Sequence, residues 1–181
     1  MHQRGFTLLE VLVAIALLGA SALITGRFLA VTTNALAVSG AQTSTAALAL
    51  TRMEQLRALS WTFDSTGIPL SDSLTDLSTS PPSHGGSGLS PSPATAIQEN
   101  TPGFADFFDA RGEWVGTGAQ PPRNAMFVRR WSIDLPPDGA PDTLVLQVVV
   151  RRVVDDVGAA GLARGARAES RFVTIKTRIA R

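Results

Sequence analysis

From Phe6 the chain runs FTLLEVLVAIALLGASALITG and stays apolar, apart from Glu10 and a few small hydroxyl residues, until Arg27. A helix needs about 20 residues to cross a hydrocarbon core about 30 Å thick. Residues 6–31 are therefore long enough to span a bilayer, with Arg27 snorkelling toward an interface. The preceding five residues, MHQRG, are short, polar and basic, which favours a cytoplasmic amino terminus and places the bulk of the chain on the other side. Two ordinary readings compete for such a segment. One is a removable secretory signal, for which Ala20-Ser21-Ala22 supplies an A-x-A site; the other is a plain single-pass anchor. Neither explains Glu10. An acid inside a span costs more than its interaction with the positive end of its own helix returns, so the carboxylate is expected to have a further partner.

The string Arg4-Gly5-Phe6-Thr7-Leu8-Leu9-Glu10, followed by VLVAIALLG, resembles the leader of the type IV pilin family. That family comprises major pilins, minor pilins and the pseudopilins of type II secretion. The resemblance covers about the first 30 residues, and it implies a processing route. A prepilin peptidase would cut between Gly5 and Phe6, and the new Phe6 amine would be N-methylated. Glu10 would pair with the cationic amino terminus of a neighbouring subunit during assembly. Other pilin or pseudopilin subunits and an inner-membrane assembly platform are the implied partners. The implied location is the bacterial inner membrane, then a pilus or a periplasmic pseudopilus. Many major pilins carry a proline near the position of Arg27, and many close a carboxyl-terminal loop with a disulfide. This chain has neither feature.

Beyond the apolar run, Ala46, Leu50, Met53, Leu56, Leu59 and Phe63 recur at steps of three or four, one face of an amphipathic helix. Arg52, Glu54 and Arg57 fall largely off that face. With no proline before Pro69, a continuous helix from Phe6 to about Ser60 would be roughly 80 Å long, and residues 32–45, poor in strong helix formers, would be its weakest stretch. Residues 78–93 (STSPPSHGGSGLSPSP) are low in complexity and read as an exposed connection without a core. From Phe104 the pattern turns to strands. Phe107-Phe108 and Trp114-Val115 flank a turn at residues 109–112, and residues 127–135, 144–154 and 172–179 follow as firmer strands. In the last of these Val173, Ile175 and Ile179 alternate with Thr174, Lys176 and Arg178, the apolar set being expected to face the helix. The order predicts an α+β, pilin-like chain. Its segments are a leader (1–5), a transmembrane or filament-core helix (6–31), its amphipathic continuation (32–63), a Ser/Pro/Gly-rich loop region (64–103) and an antiparallel sheet region (104–181).

The composition excludes several kinds of chemistry. There is no cysteine and only two histidines, His2 and His84, which rules out thiolate nucleophiles, disulfides and histidine-rich metal centres. Asp106 with Asp109, and Asp155 with Asp156, lack the ligand spacing of a calcium loop. Gly158 to Gly165 lacks the lysine of a phosphate loop. The expectation is a structural subunit with no catalytic residue, cofactor or metal. The net charge of +1 is unevenly distributed, since residues 123–181 hold eleven Lys/Arg against six acids. Arg129, Arg151, Lys176 and Arg178 are accordingly candidates for DNA contact, because phosphate attraction needs no motif. Strand alternation would nevertheless split Arg129 from Arg130 and Arg151 from Arg152. The residues favour a minor pilin-like subunit of a type IV pilus. A type II secretion pseudopilin, or a DNA-binding minor pilin of DNA uptake, is the alternative.

Overall fold

The computed structural model describes residues 7–137, 139–157 and 168–178. The chain divides into two compact units, one up to Ser39 and one from Gly40 onward. Helix α1 spans Leu8–Ala58. In the first unit the helix is apolar and exposed along its length, from Leu8 to Leu36. It contains an 18-residue window of mean hydropathy 2.3, none of it buried, and is long enough to cross a membrane. The hydroxyls in this stretch do not disturb the helix because they bond back to it. Ser21 Oγ donates to the Leu17 carbonyl at 2.8 Å, Thr25 Oγ1 to Ser21 at 2.9 Å and Thr33 Oγ1 to Leu29 at 2.9 Å. This satisfies polar side chains internally, as an apolar environment demands. Thr32 and Ser44 bond back in the same way within residues 32–45, a stretch where propensity predicted weakness and which is helical throughout.

The second unit is built on a five-stranded antiparallel sheet. Its strands are β5 (Ala105–Phe108), β6 (Trp114–Thr117), β7 (Phe127–Asp134), β8 (Thr143–Arg152) and β9 (Glu169–Thr177), in the order β6-β5-β7-β8-β9. Before it come two small hairpins, β1 (Trp61–Phe63) with β2 (Pro69–Ser71), and β3 (Thr75–Asp76) with β4 (Ser83–His84). A single turn, α2 (Val153–Val157), follows β8. The β5–β6 turn lies where the sequence placed it, with Gly112 at φ 81°. Strand β8 is a run of β-branched and aliphatic residues because it is interior, paired with β7 on one side and β9 on the other. Its alternate residues Leu144, Leu146, Val148 and Val150 join Trp131 and Ile133 of β7 to form a buried face. Ala49, Met53 and Leu56 of α1 complete that core. The fold is therefore α+β, with the end of the long helix packed on an antiparallel sheet.

Three details differ from the sequence reading. The buried face of the helix is Thr45, Ala49, Arg52, Met53 and Leu56. It is rotated from the predicted stripe, so that Leu50 is 49% exposed and Arg52 lies inside. The helix ends at Ala58, and Phe63 belongs to strand β1.

Strand β9 is turned over relative to expectation. Val173 and Ile175 are 57% and 66% exposed, while Lys176 and Arg178 point toward the helix end and the first hairpin. The last carbonyls of a helix need donors, and this margin of the sheet supplies them in place of apolar packing. Ile179 lies outside the described residues.

The Ser/Pro/Gly-rich stretch, finally, is built into the unit. Leu77, Leu89 and Ala96 are buried in the core. Ser92 N donates to the Ile133 carbonyl at 2.9 Å, and Ile133 N donates to Ser92 Oγ at 3.0 Å. Two of its glycines, Gly86 and Gly88, permit close approach of backbone to backbone. A Cβ on Gly86 would lie 2.2 Å from Asp76 Cα, and one on Gly88, at φ +50°, 2.3 Å from the Asp72 carbonyl.

Candidate functional site

The first turn of α1 is closed by its own side chains. Thr7 is the N-cap. Its backbone N donates to Glu10 Oε2 at 2.9 Å and its Oγ1 to the same oxygen at 3.1 Å. In return Glu10 N donates to Thr7 Oγ1 at 3.3 Å. This is the reciprocal capping box, in which a Thr and a Glu three residues apart satisfy each other's orphan amides. Both groups are exposed, so the carboxylate is held in one orientation while remaining accessible. Both Thr7 donors go to Oε2. Sequence reasoning weighed only the helix dipole as a local partner for Glu10. The spacing Thr7-Leu8-Leu9-Glu10 carried the signal that would have found Thr7. Gly5 and Phe6, the predicted cleavage and methylation positions, lie outside the described residues.

Residues 1–26 match the family model of the prokaryotic N-terminal methylation motif. The chain carries the type IV pilin and pseudopilin signature. No curated protein and no solved structure matches the chain. This motif is the one that marks prepilin-peptidase substrates among pilins and pseudopilins. The motif runs into a helix that is long and apolar enough to cross a membrane, which fits membrane anchoring.

The four cations considered for DNA contact are not gathered into one exposed surface. Arg129 is buried, its Nε and Nη2 donating to Asp106 at 3.0 and 2.7 Å and its Nη1 to the Leu48 carbonyl at 2.9 Å. Arg151 pairs with Glu169 at 3.0 Å. Lys176 Nζ donates to the carbonyls of Leu56, Arg57 and Leu59. Arg178 stacks on Trp61 at 3.6 Å, donates to the Thr62 and Leu70 carbonyls and pairs with Asp142. As alternation predicted, Arg129 and Arg130 part company. Arg130 bonds Asn100 with Nε and Nη2 on the opposite face of the sheet.

Two of the acids noted in the sequence have structural work. Asp106 is fully buried between two arginines. Asp109 holds its turn by accepting from the amides of Arg111 and Glu113. Among the described residues, no group of three or more His, Asp or Glu side chains converges as a metal site.

Proposed function

We propose that this chain is a minor pilin-like subunit of a type IV pilus, cleaved after Gly5 and methylated on the Phe6 amine. It enters the inner membrane with its amino terminus cytoplasmic and joins the filament through residues 6–31, delivered by an inner-membrane assembly platform. The observation that carries this reading is the methylation motif running directly into an exposed apolar helix whose first turn presents Glu10. Cleavage at Gly5 would leave the Thr7–Glu10 box whole and create a cation at the helix start. An acid in apolar surroundings and a cation in the same surroundings each need a partner of opposite charge. Pairing between successive subunits meets both needs at once.

The same signature serves pseudopilins of type II secretion, so the test follows where the processed protein goes. Mature protein begins at Phe6 with one extra methyl group by intact mass, and it is recovered in filaments sheared from the cell surface. Glu10→Ala and Glu10→Gln leave cleavage intact but lower the sheared-to-membrane ratio by about tenfold or more, because a buried charge loses its partner. Thr7→Ala removes the cap and keeps the charge, so it has a much smaller effect. Equal losses for Thr7→Ala and Glu10→Ala would reduce Glu10 to a local helix cap. A start after Ala22 would restore the signal-peptide reading.

A further inference from the structure

Arg52 is the one charged residue on the buried face of α1. It is 1% exposed and donates through Nη2 to Asp106 Oδ2 at 2.7 Å. Asp106, on β5, is itself fully buried and accepts from Arg129 of β7 through both carboxylate oxygens. Each guanidinium also lies over a ring, Arg52 over Trp131 at 4.2 Å and Arg129 over Phe108 at 4.5 Å. The cluster carries one acid against two cations. Arg52 Nε and Nη1 have no acceptor among the described residues. Burial, and then the charge of Arg129, push the Arg52 pKa down to about 9 against the pull of Asp106, so the side chain is still charged at neutral pH.

An ion cluster with these costs is a weak source of stability, since an apolar trio of similar volume would often serve as well or better. Its value lies in where it sits. The rest of the contact is apolar, aliphatic side chains together with rings such as Trp131. Ala49, Met53 and Leu56 rest on Leu144, Leu146, Val148 and Val150, alternate residues of one strand. Such a face repeats every two residues, and a helix repeats every turn of about 5.4 Å. Methionine adapts readily to a shifted neighbour. Apolar packing is non-directional, and a buried ion bond specifies one seating more sharply than it does. Arg129 adds a bond from Nη1 to the Leu48 carbonyl at 2.9 Å, and the polar links outside the cluster tolerate movement. Thr45 and Ser170 are a neutral hydroxyl pair, and the flexible Lys176 arm reaches carbonyls from Leu56 to Leu59. The Arg52–Asp106 bond does not tolerate it. A slip of one turn would strand a buried carboxylate and a buried guanidinium together.

We propose that the Arg52–Asp106–Arg129 cluster is a register lock, a conformational device that admits one seating of the helix on the sheet. The proposal stands on the second unit alone and is independent of the filament reading. The test uses the full chain in detergent micelles. Because the chain has no cysteine, Glu54→Cys and Val173→Cys provide clean spin-label sites on the helix and the sheet. The parent gives one narrow label-to-label distance. The triple variant Arg52→Met, Asp106→Leu, Arg129→Met keeps a cooperative urea transition but shows a second distance, or a distribution broadened by about one helical turn, 5.4 Å. Asp106→Asn, which leaves two buried cations facing each other, lowers the urea midpoint by about 1 M or more. A triple variant with the parent's single narrow distance would overturn the proposal. So would a triple variant that fails to fold, which would make the cluster a source of stability, or an Asp106→Asn midpoint equal to the parent's.

Discussion

Strand β9 offers a direct contest between pattern and structure, because two neighbouring residues exchange their expected roles. Alternation assigns Ile175 to the core and Lys176 to solvent. The fold gives Lys176 three carbonyls at the end of α1 and leaves Ile175 66% exposed opposite Val145. Consider Lys176→Met, which keeps the aliphatic stem and deletes the ammonium. A hydrogen bond involving a charged group contributes about 1.5–3 kcal/mol, and a cation at a partly buried helix C-terminus up to about 2 kcal/mol. Burial, and then the charge of Arg57, hold the Lys176 pKa below its ordinary value, so desolvation offsets part of that gain. A net loss of about 1–2 kcal/mol is expected. Ile175→Thr preserves β-branching and forfeits little more than a cross-strand contact with Val145, so its cost stays under about 0.5–1 kcal/mol. The assay is urea unfolding of a chain starting at Gly40, followed by the fluorescence of Trp61, Trp114 and Trp131. With a slope of about 1–3 kcal/mol per molar, Lys176→Met shifts the midpoint down by about 0.5–1 M at unchanged slope, and Lys176→Arg recovers most of it. An Ile175→Thr shift larger than that of Lys176→Met would refute the assigned facing of β9.

Two further outcomes follow from the architecture. A chain beginning at Gly40, the start of the second compact unit, is soluble and monomeric by light scattering. One beginning at Ser60 uncovers the Trp131, Ile133, Leu144 and Leu146 face and aggregates. The second outcome concerns pH and Asp72. Its carboxylate accepts from Thr75 Oγ1 at 2.7 Å and from the amides of Leu74 and Thr75 at 3.0 Å, and the Thr75 side-chain bond leads in holding its pKa below the ordinary 3.8. A depressed acid stabilises the folded state above its unfolded pKa. Amide protection at Leu74 and Thr75 therefore exceeds that of Asp72→Asn at pH 5, and the difference disappears as pH falls below 3.8 and through the lowered folded value.

The long helix, the order of its elements and the five sheet strands were legible, three of the strands from runs whose period speaks for itself and the β5–β6 pair from the turn at residues 109–112. What was not legible depends on partners distant in sequence. Arg52 reads as a solvated charge until Asp106 and Arg129, 54 and 77 positions away, are brought beneath it. The inversion of β9 likewise follows from the helix ending at Ala58, where its carbonyls meet the strand. Low complexity misled for a different reason. Serine and glycine in residues 78–93 allow close packing of backbone on backbone, as at Gly86 and Gly88, and composition does not register that. At the amino terminus the opposite happened, because the Thr7–Glu10 box is a purely local pattern and was open to reading.

That local pattern bears on how the proposed assembly would work. A carboxylate left to rotate freely at a helix start would lose side-chain entropy on meeting a neighbour's amine. Here Thr7 fixes it in advance, through two donors that both bind Oε2. The box draws only on residues 7–10, so the proposed cut between Gly5 and Phe6 takes nothing from it. A cap of this kind offsets part of the cost of placing an acid in apolar surroundings, and it does not neutralise the charge. The arriving amine would therefore meet an acceptor already oriented. On this argument Thr7 and Glu10 differ in kind. Loss of Thr7 would slow or weaken a pairing that still forms, whereas loss of the Glu10 charge would remove the pairing itself. Comparing the incorporation of the two variants across a range of expression levels separates these cases. More Thr7→Ala protein would restore its share of the filament, and more Glu10→Gln protein would not.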